Sequence, residues 1–330
     1  VLPDMIASTY LMRINPLDSL DDWISPAFAK WDRPTDDVLS DQGLNAEARR
    51  LVDVAAMTGG SAMTSALHDM RVYRWALSSR ERMFKDARHV VGGNQRLPEA
   101  MAASLKVPIH FGKAVVQIEI DESGVDIQCA DLSRFRARRV ITTVPMSVLR
   151  NIEIRPAPVP EQAAASQQLP YADGIQIYTV PEKRYWEQDG LPPGMWTDSP
   201  IDGVRALAND DSGQVTNIII DLYGPEVRRF FFMTDAEIET YALGWLARLR
   251  PSTKGALRVM KIVNKSREKF ARGDWPYWHP GQVNRFGRIV RQPWQRLHFA
   301  GDGTAVLNRG AEAAFESGER AALEVLTQGV

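Results

Sequence analysis

The segment from residue 269 to the end constrains this chain most. Gln295–Ala300 reads as a strand, Gly301-Asp302-Gly303-Thr304 as a tight polar turn, and Ala311–Leu326 as a long periodic helix. The expected apolar face of that helix carries Ala314, Phe315, Gly318, Ala321, Ala322 and Val325. Its acids Glu312, Glu316 and Glu319 lie toward the N-terminal half, where they suit the helix dipole. A strand, a glycine-rich turn and a helix leave unpaired N–H groups at the helix start, which favour a negative group there. Two readings of these residues stay open: a site for a phosphate or anionic cofactor, and a packing turn of small residues.

The rest of the chain alternates in character. Residues 1–85 read mostly helical: Leu44, Ala48, Leu51, Val52 and Ala55 recur at helical spacing, with Asn45 as the cap. Pro26, Pro34 and Asp36-Asp37 mark loops, and Trp23, Trp31, Trp75, Phe28 and Tyr73 supply packing bulk. Gly92-Gly93 makes a turn before a short helix over Arg96–Leu105. Ala114–Ile120 and Gly124–Cys129 alternate as strands, and Val140–Val144 is a β-branched run, read as a buried strand that Pro145 ends. Gly174–Val180 and Thr216–Leu222 read as strands, and Thr234–Leu249 as a helix with Leu243, Trp245 and Leu246 on its apolar face. Pro192-Pro193-Gly194 and Asn209–Gly213 read as loops, and there is no internal repeat.

Composition removes several classes. The length of 330 residues suggests two domains, and 44% hydrophobic with 25% charged residues excludes disorder. A net charge of -1 argues against nucleic acid as a partner, and Arg134–Arg139 reads as a solvated strand edge. Cys129 is the single cysteine, so neither an internal disulfide nor a cysteine metal site is expected. His68, His89, His110, His279 and His298 show no ligand spacing, so no metal is expected. No run of apolar residues is long enough to span a membrane, and Val1–Tyr10 has no signal-peptide pattern. The chain starts at Val1 rather than Met, which is expected to follow cleavage, truncation or residues further upstream.

Four ordered pieces then resemble one family. Leu297–Thr304 followed by Gly310–Ala322 resembles the C-terminal FAD motif of the flavin-containing amine oxidases, which include monoamine, polyamine and L-amino-acid oxidases. Arg272–Gln282, with its Trp275-Pro276-Tyr277-Trp278 run, resembles the segment beside the flavin ring. Val90–Leu97, Val115–Ile118 and Thr142–Pro145 match further elements in the right order, so the likeness spans 86–330. The resemblance implies FAD as cofactor. Val115 would face the adenine, Thr143, Val144 and Pro145 would line the dinucleotide, and Gly301 and Asp302 would sit at the ribityl-pyrophosphate. Ala311 would open the helix aimed at the flavin C2 carbonyl, and Trp275 would form one wall of an aromatic substrate cage.

The chain departs from that pattern in three ways. The opening G-x-G-x-x-G strand–turn–helix is absent, since Gly59-Gly60 and Gly92-Gly93 lack the spacing. A second polypeptide carrying that motif, arising by proteolytic maturation or from a separate gene, is the expected partner, and truncation is the other explanation. Gln176 stands where the family usually has a Lys that aids reaction with oxygen, ten residues before Trp186. Gly310 stands where the second cage wall would be, leaving one side open for a bulkier substrate or an α-carboxylate. Trp275, Gln176 and Gly310 are thus the candidate catalytic positions.

The implied fold class is α/β, or mixed α+β: a two-domain interleaved FAD-binding fold of the glutathione-reductase-like kind, with the N-terminal βαβ unit missing. Residues 1–85 and 151–268 would form a substrate domain with a mixed sheet, and 86–150 and 269–330 the FAD domain. The implied activity is oxidation of an amine or L-amino acid by hydride transfer to FAD. An imine, then a carbonyl compound and ammonia, would follow, with oxygen or another acceptor taking the electrons. The competing readings are a C–C desaturase of the same fold and a non-catalytic subunit of a flavoenzyme. The chain reads as a cytoplasmic protein without a membrane span, with periplasmic or secreted locations and a homo-oligomer left open.

Overall fold

The computed structural model describes residues 2–85, 90–209 and 212–327. The Val1 start, His89 and the opening of the 86–150 segment, Asp210-Asp211 of the expected 209–213 loop, and the last three residues lie outside them.

The N-terminal part is helical: α1 (Ile6–Ile14), α2 (Thr35–Asp41), α3 (Ala46–Ala55) and α4 (Ala66–Lys85). The Asn45 side chain accepts from Ala48 N at 2.9 Å, so the expected cap forms and α3 starts there. α5 (Arg96–Ala103) follows. A four-stranded sheet then forms from β1 (Val115–Ile120), β2 (Val125–Cys129), β3 (Arg134–Ala137) and β5 (Glu153–Arg155), in the order β3-β2-β1-β5. β5 runs parallel to β1 and the other pairs are antiparallel, so this sheet is the mixed one. β3 is its edge, and Arg136 there bonds the carboxylates of Asp121 and Asp126, the solvated edge the sequence suggests.

α6 (Met146–Leu149) and α7 (Pro160–Gln168) lead to the second sheet. It contains β6 (Gly174–Pro181), β7 (Met195–Trp196), β8 (Gly203–Ala208), β9 (Val215–Tyr223) and β10 (Leu257–Asn264), in the order β10-β6-β9-β8-β7. Where the sequence suggested a mixed substrate-domain sheet, every pair here is antiparallel. Alternation in β6 and β9 puts Ile175, Ile177, Ile218 and Ile220 into a core closed by α8 (Tyr185–Asp189) and α9 (Asp235–Leu249). A reciprocal capping box between Thr234 and Glu237 opens α9, whose buried face is Ile238, Ala242 and Leu246.

The last element set crosses back. β4 (Val140–Thr142) pairs in parallel with β11 (Leu297–Phe299), in the register Val140↔Leu297 to Thr142↔Phe299. α10 (Gln282–Phe286) precedes this strand and α11 (Gly310–Thr327) follows it. This pairing interleaves the chain. A second core joins the N-terminal helices to β1, β11 and α10 through Leu11, Trp23, Met70, Ile118, Phe286 and Leu297.

Two expectations are corrected. Val140–Val144 is not a fully buried strand: Ile141 keeps 38% of its surface exposed in a sheet of two strands. α11 buries Ala313, Ser317 and Ala321, while Ala314, Phe315 and Ala322 of the expected face are exposed. The inner face is polar in part because it holds the turn before it. Ser317 Oγ accepts from Gly301 N at 2.8 Å, and Arg320 Nη2 donates to the Phe299 carbonyl at 2.6 Å.

Candidate functional site

Trp275 is set in place by backbone. Asp274 N donates to the Ala172 carbonyl at 2.9 Å, and Ala172 N donates to the Trp275 carbonyl at 2.8 Å. A bridge between Tyr171 and Pro276 extends this short antiparallel pair. Gly273 makes the approach feasible: its φ is +142°, and a Cβ there would lie 2.3 Å from Tyr171 Cβ. The Trp275 ring tilts 42° against Tyr223, with centroids 5.4 Å apart. Tyr223 in turn lies over Gly174, where a Cβ would sit 2.2 Å from its ring. The Tyr223 hydroxyl reaches Asp274 Oδ2 at 3.5 Å, and burial, with that carboxylate, pushes its pKa up.

The C-terminal turn supplies the opposite wall. Ala300 N donates to the Thr142 carbonyl at 2.9 Å, continuing the β4–β11 pairing. Gly301, at φ +113°, then passes the Thr143 carbonyl, 3.7 Å from where its Cβ would be. Thr143, Gly301 and Asp302 are therefore brought together, with Val144 and Pro145 next along the chain. The loop before α11 is clamped from two sides. The Glu316 carboxylate accepts from Val306 N and Asn308 N, each at 2.8 Å, and from Leu307 N at 3.1 Å. Arg71 Nη2 donates to the carbonyls of Asn308 at 2.9 Å and Ala305 at 3.3 Å. This clamp fixes Arg309 and Gly310.

Two cavities meet here. One of about 270 Å³ is lined by Trp75, Trp275, Trp278, Asp302, Gly303 and Gly310, with Arg71 beside them. The other, about 240 Å³, is lined by Thr35, Val52, Ser61, Asp69 and Tyr73. His68, Trp275 and Arg309 line both and form the shared wall. Burial dominates the electrostatics. It drives His68 well below its ordinary pKa, helped by the charges of Arg309 and Arg71, so His68 is neutral at pH 7. Burial lowers Arg71 to about 9 and depresses Arg309, and it raises Asp302 and brings Asp69 up to about 6. His68 Nδ1 and Arg71 Nε are buried without a hydrogen-bond partner.

The first cavity fits the ring end of a flavin. Three indoles and two glycines give flat apolar walls, a buried guanidinium nitrogen lacks an acceptor, and the N-terminus of the long helix α11 lies alongside. Trp275 and Gly310 meet in this cavity, and no atom lies within 4 Å of a Cβ built at Gly310, so that side is open. Ala311 is exposed in the first turn of α11. Val115, on β1, packs half-buried against the larger core and lines none of the cavities described. Gln176 is engaged at both ends of its amide and also lines none of them. It donates to Asp221 at 3.0 Å and accepts from the Tyr178 hydroxyl at 3.1 Å, while Arg205 pairs with Asp221.

Sequence reasoning missed His68, Arg71, Tyr223 and Arg309 as site residues. His68 and Arg71 lie three apart on α4 and so share a face, but only the fold shows that this face meets the 305–310 loop. Arg309 had a signal, since it adjoins Gly310.

Known proteins define the class. The model of the flavin-containing amine oxidoreductase family matches residues 34–326, so the chain belongs to that family. Among curated relatives, an L-amino-acid oxidase of Demansia vestigiata is 26% identical over 245 residues, covering 72% of this chain and 47% of the relative. An L-amino-acid oxidase of Crotalus adamanteus is 27% identical over 247 residues, with 72% and 48% covered. The chain thus spans about half the length of the curated relatives it matches. Among solved structures, putrescine oxidase bound to putrescine superposes with a TM-score of 0.80 at 20% identity, over 97% of this chain and 76% of that one. Cyclohexylamine oxidase from Brevibacterium oxydans gives 0.76 at 17% identity, over 99% and 73%. These two likenesses establish the fold, an FAD-dependent amine oxidase architecture. Among the described residues no helix is long and apolar enough to cross a membrane.

Proposed function

We propose that this chain oxidises an amine or an L-amino acid with FAD as cofactor, as part of a site completed by residues outside these 330. The observation that carries the reading is the meeting of Trp275, Gly310, Asp302 and Gly303 in one cavity, which shares His68, Trp275 and Arg309 with a second. Bound FAD would supply the hydride acceptor. The protein's own part is positional. Trp275, fixed by its backbone pair with Ala172 and its contact with Tyr223, presents an indole face to the amine and excludes water. The open side at Gly310 admits substituents on the reacting carbon. Arg71, Arg309 and the N-terminus of α11 place positive potential beside the ring end, which favours electron acceptance there. Gln176 lines neither cavity and its amide is held by Asp221 and Tyr178, so this position brings no lysine to assist reaction with oxygen.

Exposed apolar surface supports the second half of the proposal. α5 buries none of its residues, and Phe315, Leu323 and Leu326 of α11 are exposed, as is Ile141 on β4. A strand–turn–helix carrying G-x-G-x-x-G, on the same polypeptide or on a second one, would bind the pyrophosphate and could cover exposed apolar residues of α11 and β4.

The test is anaerobic addition of amines and L-amino acids to the flavin-loaded native protein. Loss of flavin absorbance, with a carbonyl compound and ammonia as products, is the expected result. No bleaching by any of them overturns the proposal, and an alkene product replaces it with a desaturase.

A further inference from the structure

We infer that the segments 228–233 and 265–272 together form a docking surface for an anionic lipid bilayer, with Phe232 and Phe270 as its inserted side chains. This goes beyond the proposed reaction and does not depend on it. The chain as a whole has a net charge of -1, yet these two stretches hold Arg228, Arg229, Lys265, Arg267, Lys269 and Arg272 against the single carboxylate of Glu268. Asp173 pairs with Arg228 at 3.2 Å, Asp235 pairs with Arg267 at 3.3 Å, and Glu237 closes the capping box of α9. With all of these counted, the cations still outnumber the acids. Charges beyond a Debye length of about 8 Å are largely screened, so a flat anionic surface meets this patch rather than the whole molecule.

The two segments are held as one surface. Arg267 Nη2 donates to the Phe230 carbonyl at 2.7 Å and the Phe231 carbonyl at 3.1 Å, and it also reaches the Met233 carbonyl. The Asp173 carboxylate accepts from Ser266 Oγ at 2.6 Å and from Arg228 Nε at 3.2 Å, a second tie between the same segments. Phe230 is buried in the sheet core and roots the first of them. Phe232, two residues on, is 97% exposed. Phe270 is 60% exposed, in a turn closed by Ala271 N on the Glu268 carbonyl at 3.1 Å. The Lys269 ammonium stands 5.1 Å from the centre of the Phe270 ring, so ring and cation lie side by side, as a headgroup layer requires. Loops already ordered lose little freedom on docking. Two protruding rings among cations need an apolar layer beneath an anionic one, which a bilayer offers at every point. An acidic protein would need two pockets at matching spacing.

The test is flotation of the FAD-loaded native protein with phosphatidylcholine vesicles, alone or with phosphatidylserine as about one lipid in three. The expected result is binding to the phosphatidylserine vesicles only, lost when NaCl is raised from about 0.1 M to about 0.5 M. Lys265→Gln with Lys269→Gln removes two exposed cations and lowers the affinity about 10- to 30-fold. Phe232→Ser with Phe270→Ser leaves the charge unchanged and lowers it about 10-fold. An environment-sensitive dye on Phe232→Cys brightens with the same vesicles, the one native cysteine, Cys129, being buried. A wild type that ignores phosphatidylserine vesicles overturns the proposal. So does a double Phe variant that binds as tightly as the wild type, because the contact is then charge alone. Binding to polyglutamate in place of vesicles, lost in the double Lys variant, overturns it too and assigns the surface to an acidic protein. The substituted residues lie outside both cavities, so flavin bleaching by amines is unchanged in these variants. If no amine bleaches the flavin, amine oxidation fails and the vesicle result still decides the docking surface.

Discussion

The five-stranded sheet and the β4–β11–α11 unit treat their apolar residues in opposite ways. In the sheet, Ile175, Ile177, Ile218 and Ile220 are wholly buried under α8 and α9. In the other unit, a parallel pair of strands stands alone, and α11 leaves Phe315 41% exposed and Leu326 64% exposed. Parallel strands are ordinarily covered on both faces. The first region has a core of its own, whereas the second leaves apolar side chains exposed. The candidate site lies where they meet, because the strand that opens the closed sheet also carries the backbone that holds Trp275.

The comparison can be tested from its largest consequence down. Ile220→Ala in β9 should lower unfolding free energy by about 3 kcal/mol, measured by denaturant titration, because it empties a closed core. The next effect is a pH slope confined to the sheet. Asp202 is raised to about 7, first by burial and then by the charge of Asp221, and its carboxylate accepts from Tyr223 N. The folded state holds this proton more tightly than the unfolded state, so stability is full below about pH 4 and falls as pH rises toward 7. The slope is at most about 1.4 kcal/mol per pH unit. Asp202→Asn should flatten the pH dependence of hydrogen-exchange protection in β8 and β9, and an unchanged slope would remove Asp202 as its source. Trp275→Ala should lower kcat/KM for the preferred amine about 10- to 100-fold, with little effect on melting temperature. Thr234→Ala removes the capping box of α9 and should lower stability by about 1 kcal/mol in thermal melts. Smallest is Phe315→Ala, within about 0.5 kcal/mol for the chain alone. A loss there as large as that of Ile220→Ala would mean that the α11 face is already covered, and the contrast between the regions would collapse.

Much of the fold was legible because local signals agreed with one another. Asn45 and Thr234 cap the helices they precede, and the β-branched alternation of β6 and β9 forms the sheet core. The face of α11 was misread for a physical reason. Its inner side carries Ser317 and Arg320, which bond the turn and β11, and a hydrophobic pattern cannot register a buried face made of hydroxyl and guanidinium. Small residues such as Ala314 and Ala322 then resemble a core stripe although they are exposed. In the site, Trp275, Gly310 and Asp302 were legible through their neighbours in sequence, and they share a cavity. His68 and Arg309 were not. Each is an ordinary polar residue until the fold withholds water from it, and that depends on segments more than two hundred residues apart.

The short backbone ladder between Ala172 and Trp275 has a mechanical consequence. Two residues after Ala172 the same segment becomes β6, paired on both sides by β10 and β9. The indole is therefore anchored to the five-stranded sheet, while the loop bearing Arg309 is anchored to α4 and α11. A relative shift of those two bodies changes the width of the cavity between them without altering either wall.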